Sequence, residues 1–230
     1  KVIPRTYMVN HAVANKYIDI VKYLYSQHGL NNFNNDAFIC AIYLPDPTIL
    51  IYMLENTVGI TPDTMLLFSV RSDNLETVKY FVEKYNLRLT NTALSYAVRH
   101  GFTDIIEYFT EYYNIAPDRY MLEYAIRFNH FDLVKHMIEH YHLDPNHKEV
   151  FKCAAHNGNI EILQYLIEEV KIKLNKKIAL HAAAESGNLN IVKYLVEKCG
   201  VHPNNKDALT LAERNNKHNI IEYLKSIFIN

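Results

Sequence analysis

Three arginines, Arg71, Arg99 and Arg127, stand at one constant interval along the chain, and His156 follows at almost the same interval. Guanidinium groups grip carboxylates and phosphates through paired N–H bonds, so a regular row of them would read an anionic segment. His100 and Phe128 beside them, and Tyr43 earlier in the chain, add an ionisable ring and two apolar anchors. Arg and aromatic residues are over-represented at binding hot spots. Arg71, Arg99, His100, Arg127, Phe128, His156 and Tyr43 therefore form the candidate partner-binding set. The competing role for such arginines is simple complementarity to a helix C-terminus.

Other chemistry has less support. His136 and His140 are four apart, close enough on one helix to share a metal ion. No Cys or carboxylate set accompanies them, so no metal is assigned. There is no HExxH, CxxC or GxSxG arrangement, and no glycine is left over for a phosphate-cradling loop. No catalytic residue and no cofactor are expected. The chain has 24 Lys+Arg against 25 Asp+Glu, a net charge of −1, so no bulk field draws it to nucleic acid or an anionic membrane. No apolar run approaches the ~20 residues of a membrane span. Three cysteines, Cys40, Cys153 and Cys199, show no metal spacing and suit a reducing compartment such as the cytoplasm. The expected partner is a protein or peptide segment, anionic in character, and the expected state is a monomer.

What positions these residues is a repeat. Ala12, Ala41, Ser69, Ala97, Ala125, Ala154, Ala183 and Ala212 recur at an interval that never varies by more than one position. Each is followed by a phrase of the type YIDIVKYL, NLETVKYF or NLNIVKYL, the second repeat being the poorest match. An apolar residue three before each anchor (Val9, Phe38, Leu66, Leu94, Leu122, Phe151, Leu180, Leu209) shares a helix face with it. Every repeat thus reads as two short helices. Asp36, Thr64, Thr92 and Asp207 are expected caps of the first helix. Acids and amides such as Asp19, Glu76, Asp104 and Glu161 open the second, where they complement the dipole.

Glycine usage agrees. Gly101, Gly158 and Gly187 fall four after the anchor, in the turn between the helices. Gly29, Gly59 and Gly200 share the end of the second helix with Asn86, Asn114, His142 and Lys171, the left-handed cap position. Pro62, Pro117, Pro145 and Pro203 follow to stop that helix. Pro45 and Pro47 predict a distorted turn in the second repeat. A tyrosine row in the second helix (Tyr23, Tyr80, Tyr108, Tyr165, Tyr194, Tyr223, with Met53 and His136 in the gaps) reads as inter-helix packing with hydroxyls in water. The candidate partner-binding residues occupy the positions two and three after the anchor, which vary where the core positions do not.

LHAAAESGNLNIVKYLVEKCG at 180–200, and more loosely CAAHNGNIEILQYLIEE and YAVRHGFTDIIEYFTE, resemble the ankyrin repeat. The Thr-Pro that opens the family's first helix is absent, and the period is about four residues short of ~33. The deficit falls where ankyrin proteins carry projecting fingers. The resemblance implies an all-α solenoid of about eight helix-turn-helix repeats, with residues 1–230 as one domain. It also implies a non-enzymatic scaffold whose concave face, lined by the candidate set, holds a partner segment. A second reading makes the chain the targeting module of a larger effector. The Asn- and Tyr-rich bias (24 Asn, 18 Tyr, no Trp) is similar to that of ankyrin repeats in amoeba-infecting giant viruses, which would place it in host cytoplasm.

Overall fold

The computed structural model describes residues 6–28, 35–115, 117–172, 176–202 and 206–229, so Gly29 and Pro203 lie outside it. The described residues form sixteen helices and no strand. They pair as α1 (Thr6–Ala14) with α2 (Ile18–His28), α3 (Asn35–Ile42) with α4 (Thr48–Asn56), α5 (Pro62–Arg71) with α6 (Leu75–Tyr85), and α7 (Asn91–His100) with α8 (Thr103–Tyr112). The series continues with α9 (Arg119–Arg127) and α10 (Phe131–Glu139), then α11 (Lys148–His156) and α12 (Ile160–Gln164). It ends with α13 (Lys176–Ser186) and α14 (Leu189–Lys193), then α15 (Lys206–Arg214) and α16 (His218–Ile229). α12 and α14 run on as single π turns, Tyr165–Glu169 and Tyr194–Lys198. The fold is all-α, eight ankyrin-like helix pairs.

Two compact bodies are distinguished. One holds Lys1–Val98 with Phe102–Ile115, the other Arg99–Gly101 with Ala116–Asn230. In the first body α1 packs on α3, α3 on α5, α2 on α4 and α6 on α8. In the second, α9, α11, α13 and α15 pack in succession, as do α10 on α12 and α14 on α16. The small anchors Ala12, Ala41, Ser69, Ala97, Ala125, Ala154, Ala183 and Ala212 are all buried, which lets neighbouring first helices approach closely. The apolar surface taken out of water along these contacts is the main stabilising term, at about 25 cal/mol per Å².

The turn after the first helix is left-handed in every repeat but the second: Lys16, Asp73, Gly101, Asn129, Gly158, Gly187 and Asn216 all have positive φ. The second repeat has Pro45 there, whose ring forbids that backbone. Its turn instead runs over residues 43–47, with the Thr48 N–H donating to Asp46 Oδ1 at 2.9 Å, as the two prolines predict. Second helices close on Gly59, Asn86, Asn114, His142, Lys171 and Gly200, again all left-handed.

Two expectations are corrected. The first-helix caps lie earlier than Asp36, Thr64, Thr92 and Asp207, which sit inside the first turn. Thr61, Thr90, Asp118 and His147 accept the orphan N–H groups instead. The tyrosine hydroxyls, moreover, do not simply reach water. Tyr165 donates to Glu139 (3.2 Å), Tyr194 to Glu168 (2.7 Å) and Tyr223 to Glu197 (2.8 Å), while Tyr80 donates to Glu55. Each glutamate belongs to the repeat before. Tyr52, edge-on to Tyr25, occupies the tyrosine position of the second repeat, and Met53 is the fully buried core residue after it.

Burial, then the glutamate hydrogen bond, pushes the Tyr165 and Tyr223 hydroxyls up to about 12. A phenol kept neutral by the fold contributes stability that is complete below its unfolded value of ~10 and lost as pH rises through 12. Denaturant unfolding at constant salt should therefore show stability level from about pH 8 to 9.5 and falling between about 10 and 12. Tyr165→Phe should shallow that fall; an identical slope would contradict the assignment.

Candidate functional site

The candidate residues sit where the first helices end, and in the second body the backbone there is clamped by the following repeat. His130 Nε2 lies 2.6 Å from the Arg99 carbonyl oxygen. Asn159 Nδ2 donates to the Ile126 carbonyl. Asn188 Nδ2 donates to the carbonyls of Ala155 (3.0 Å) and His156 (2.8 Å). All three side chains stand five after their own anchor and bind carbonyls of the last turn of the preceding first helix; the Ile126 carbonyl also accepts from the Asn129 N–H at 3.1 Å. The glycines face the same side chains. A Cβ on Gly101 would stand 2.6 Å from His130 Nδ1, and one on Gly158 2.8 Å from Asn188 Oδ1. A Cβ there would have to displace the incoming side chain, in addition to the strain of the positive φ.

On this clamped edge the arginines do different things. In the first body Arg71 is half-buried, its guanidinium carbon 5.6 Å from the Phe68 ring and 5.7 Å from the Tyr96 ring. Its Nε is buried without a hydrogen-bond partner. Arg71 therefore packs structurally as a cation against two aromatic faces. Tyr43, 72% exposed, projects freely from the irregular turn. In the second body Arg99 and Arg127 are exposed. Arg99 lies over Phe128 at 4.9 Å and Arg127 over Tyr124 at 5.6 Å, and the two rings stack 6.3 Å apart. His100 and His156 are exposed beside them.

Next to this cluster is a cleft of about 410 Å³ lined by Arg127, Glu149, Lys152, Cys153, His156 and Glu185, with Asn157 at its rim. Burial pushes the Cys153 thiol up, and a hydrogen bond from Arg127 opposes that shift. A second hollow of about 320 Å³ continues past Lys148, Ile178 and His181. The cleft wall is thus mixed in charge. Glu149, Lys152 and Cys153 were not singled out from the sequence. Their signal was available, since Lys152 stands one helical turn before His156 and its equivalents vary from repeat to repeat. The rings of His136 and His140 stack at 4.8 Å, and among the described residues no three potential ligands gather round a metal-sized space.

A family model described as ankyrin repeats (3 copies) matches residues 38–121, 66–149, 122–207 and 151–230. The chain belongs to the ankyrin-repeat family. Among curated proteins no significant match is found. Ankyrin repeats generally mediate protein–protein interactions and are typically non-catalytic. No helix among the described residues is long and apolar enough to cross a membrane. In this ankyrin chain the helix-end clamp ties the backbone at Arg99, Ile126 and His156. Asn188→Ala should leave two carbonyls unpaired and cost about 1–3 kcal/mol in denaturant unfolding. A loss below about 0.5 kcal/mol would mean that the clamp is incidental.

Proposed function

We propose that this chain is a non-enzymatic binding module that holds an extended, anionic partner segment along the ends of its first helices. The observation that carries the reading is the pair of exposed guanidinium groups, Arg99 and Arg127, each laid on an aromatic ring beside an open cleft. An arginine braced by a ring loses less freedom on binding, so its N–H fork meets a carboxylate or phosphate at lower entropic cost. His156 extends the cationic edge, Phe128 supplies apolar contact, and Glu149 and Glu185 favour a basic residue at the far side of the cleft. His100 belongs to the proposed surface of the second body; in the first body Tyr43 is an exposed contact residue of its own and Arg71 contributes through its packing.

An extended chain advances ~3.3 Å per residue and packed helices lie ~8–10 Å apart, so acidic residues about three apart match successive arginines. The Asn- and Tyr-rich composition supports a viral source, with a host protein as partner and the host cytoplasm as the place of action. The chain acts as a single monomeric domain in this reading.

Peptide display on the full chain should select segments with Asp, Glu or phosphorylated residues at i and i+3. The Arg99→Ala/Arg127→Ala double variant should stay folded, bind those peptides at least ~10-fold more weakly and show a flatter salt dependence. Selection of basic or purely apolar segments, or unchanged binding by the double variant, would reject the proposal. Arg71→Ala, in contrast, should lower stability by about 0.5–2 kcal/mol through its lost ring contacts.

A further inference from the structure

The first repeat leaves bare a face that every later repeat covers. Ile20, eight after its anchor, is 47% exposed, whereas Ile49, Thr77, Ile105, Leu133, Ile162, Ile191 and Ile220 at the same position are all buried. Tyr23, at the tyrosine position, is 62% exposed, against 4% for Tyr165 and 8% for Tyr194. Met8, four before the anchor, is 40% exposed where Ala37, Ala93, Val150, Ala179 and Ala208 are buried. Within each body the later repeats pack on the helix pair before them, as α3 does on α1 and α13 does on α11. Single exposed apolar residues are ordinary, but three at positions that are core elsewhere mark an interaction surface.

The last repeat is built the other way. The position after the anchor is apolar and buried in Val13, Ile42, Val70, Val98, Ile126, Ala155 and Ala184. In the last repeat it is Glu213, exposed and paired with Lys225 at 3.3 Å. A polar outer face of this kind is what a terminal repeat needs in water. Its charges would have to be desolvated to sit on Met8, Ile20 and Tyr23, which disfavours head-to-tail pairing of two copies.

We propose that the Met8–Ile20–Tyr23 face docks one further ankyrin-type helix pair, whose second helix presents a glutamate to the Tyr23 hydroxyl. The glutamate is specified by Glu55, Glu139, Glu168 and Glu197, each of which accepts from the tyrosine of the following repeat. The occupant therefore offers an apolar stripe plus one carboxylate at its edge. This inference stands on the first repeat alone and does not depend on the arginine surface.

The test adds such a pair to the full chain. A copy of residues 148–171, which are α11 and α12 with its π turn, is fused directly ahead of Lys1. The Ala154 of the copy then precedes Ala12 by the same interval that separates Ala154 from Ala183 in the chain itself. Its Glu168 stands 26 residues before Tyr23, the separation of Glu168 and Tyr194. Ile162→Lys within the copy keeps a new bare face from replacing the old one. Amide exchange in α1 and α2 should slow at least ~10-fold in the fusion, and Glu168→Ala within the copy should undo part of the gain. Unchanged exchange in α1 and α2, whether or not the copy is itself protected, would overturn the proposal. The unfused chain should sediment as a monomer whose stability Ile20→Glu leaves unchanged. A dimer dissociated by Ile20→Glu would overturn the proposal in favour of a second copy as occupant.

Discussion

In three successive repeats of the second body the side chain five residues after the anchor, His130, Asn159 or Asn188, reaches back to the carbonyl end of the previous first helix, and the packing of that body depends on the reach. Asn188 fills a gap that helix geometry leaves open at Ala155 and His156, since the last carbonyls of a helix lack intrahelical N–H partners. His130 and Asn159 bind the carbonyls of Arg99 and Ile126. The reach demands a left-handed turn, because only that backbone swings the following residue toward its neighbour. At Gly101 and Gly158 the incoming ring or amide also occupies the space that a Cβ would take. The contact thus accompanies glycine at two of these turns, while the positive φ and the near-constant period extend to repeats without it. An insertion in the turn would move the side chain away from its carbonyls.

A second tie runs along the other helices. Tyrosine rings are buried between successive second helices, and their hydroxyls end on a glutamate of the repeat before. The neutral phenol donates to the carboxylate, so burial and hydrogen bond act in the same direction on its ionisation. With the first helices clamped at their ends and the second joined by tyrosine, neighbouring pairs in the second body are held on two sides. The variable positions between those ties are free to carry function. Arg99, Arg127, Phe128 and His156 occupy them, and their cation–ring contacts come from residues of the same helix ends.

Most of the fold was legible because repetition averages out local ambiguity. A single Ala followed four later by Gly says little, whereas the same pair returning at a constant interval defines a turn. The helix caps were misplaced because Thr64 and Thr92 are good cap residues by type, and Thr61 and Thr90 nearby are equally good. Propensity alone does not choose between them. The glutamate partners of Tyr80, Tyr165, Tyr194 and Tyr223 are Glu55, Glu139, Glu168 and Glu197, each 25 or 26 residues earlier. They were overlooked because an exposed glutamate on a helix has an ordinary explanation in solvation. The binding set was harder still. Arg71, Arg99 and Arg127 share a repeat position, yet Arg71 is half-buried between Phe68 and Tyr96 while the other two are exposed. Period identifies equivalent positions; the neighbouring rings decide what each side chain does.

The claim that the following repeat's side chain dictates glycine in the turn is tested most directly by a double-mutant cycle on Gly158 and Asn188. Gly158→Ala alone should cost more than the ~1–2 kcal/mol of a left-handed alanine, because its methyl meets Asn188. In the Asn188→Ala background the same change should cost only that backbone penalty, giving a coupling of about 1 kcal/mol or more between the two sites. Additive losses, with no coupling beyond ~0.3–0.5 kcal/mol, would show that backbone conformation alone selects the glycine, and the account of how successive repeats are held in register would fail.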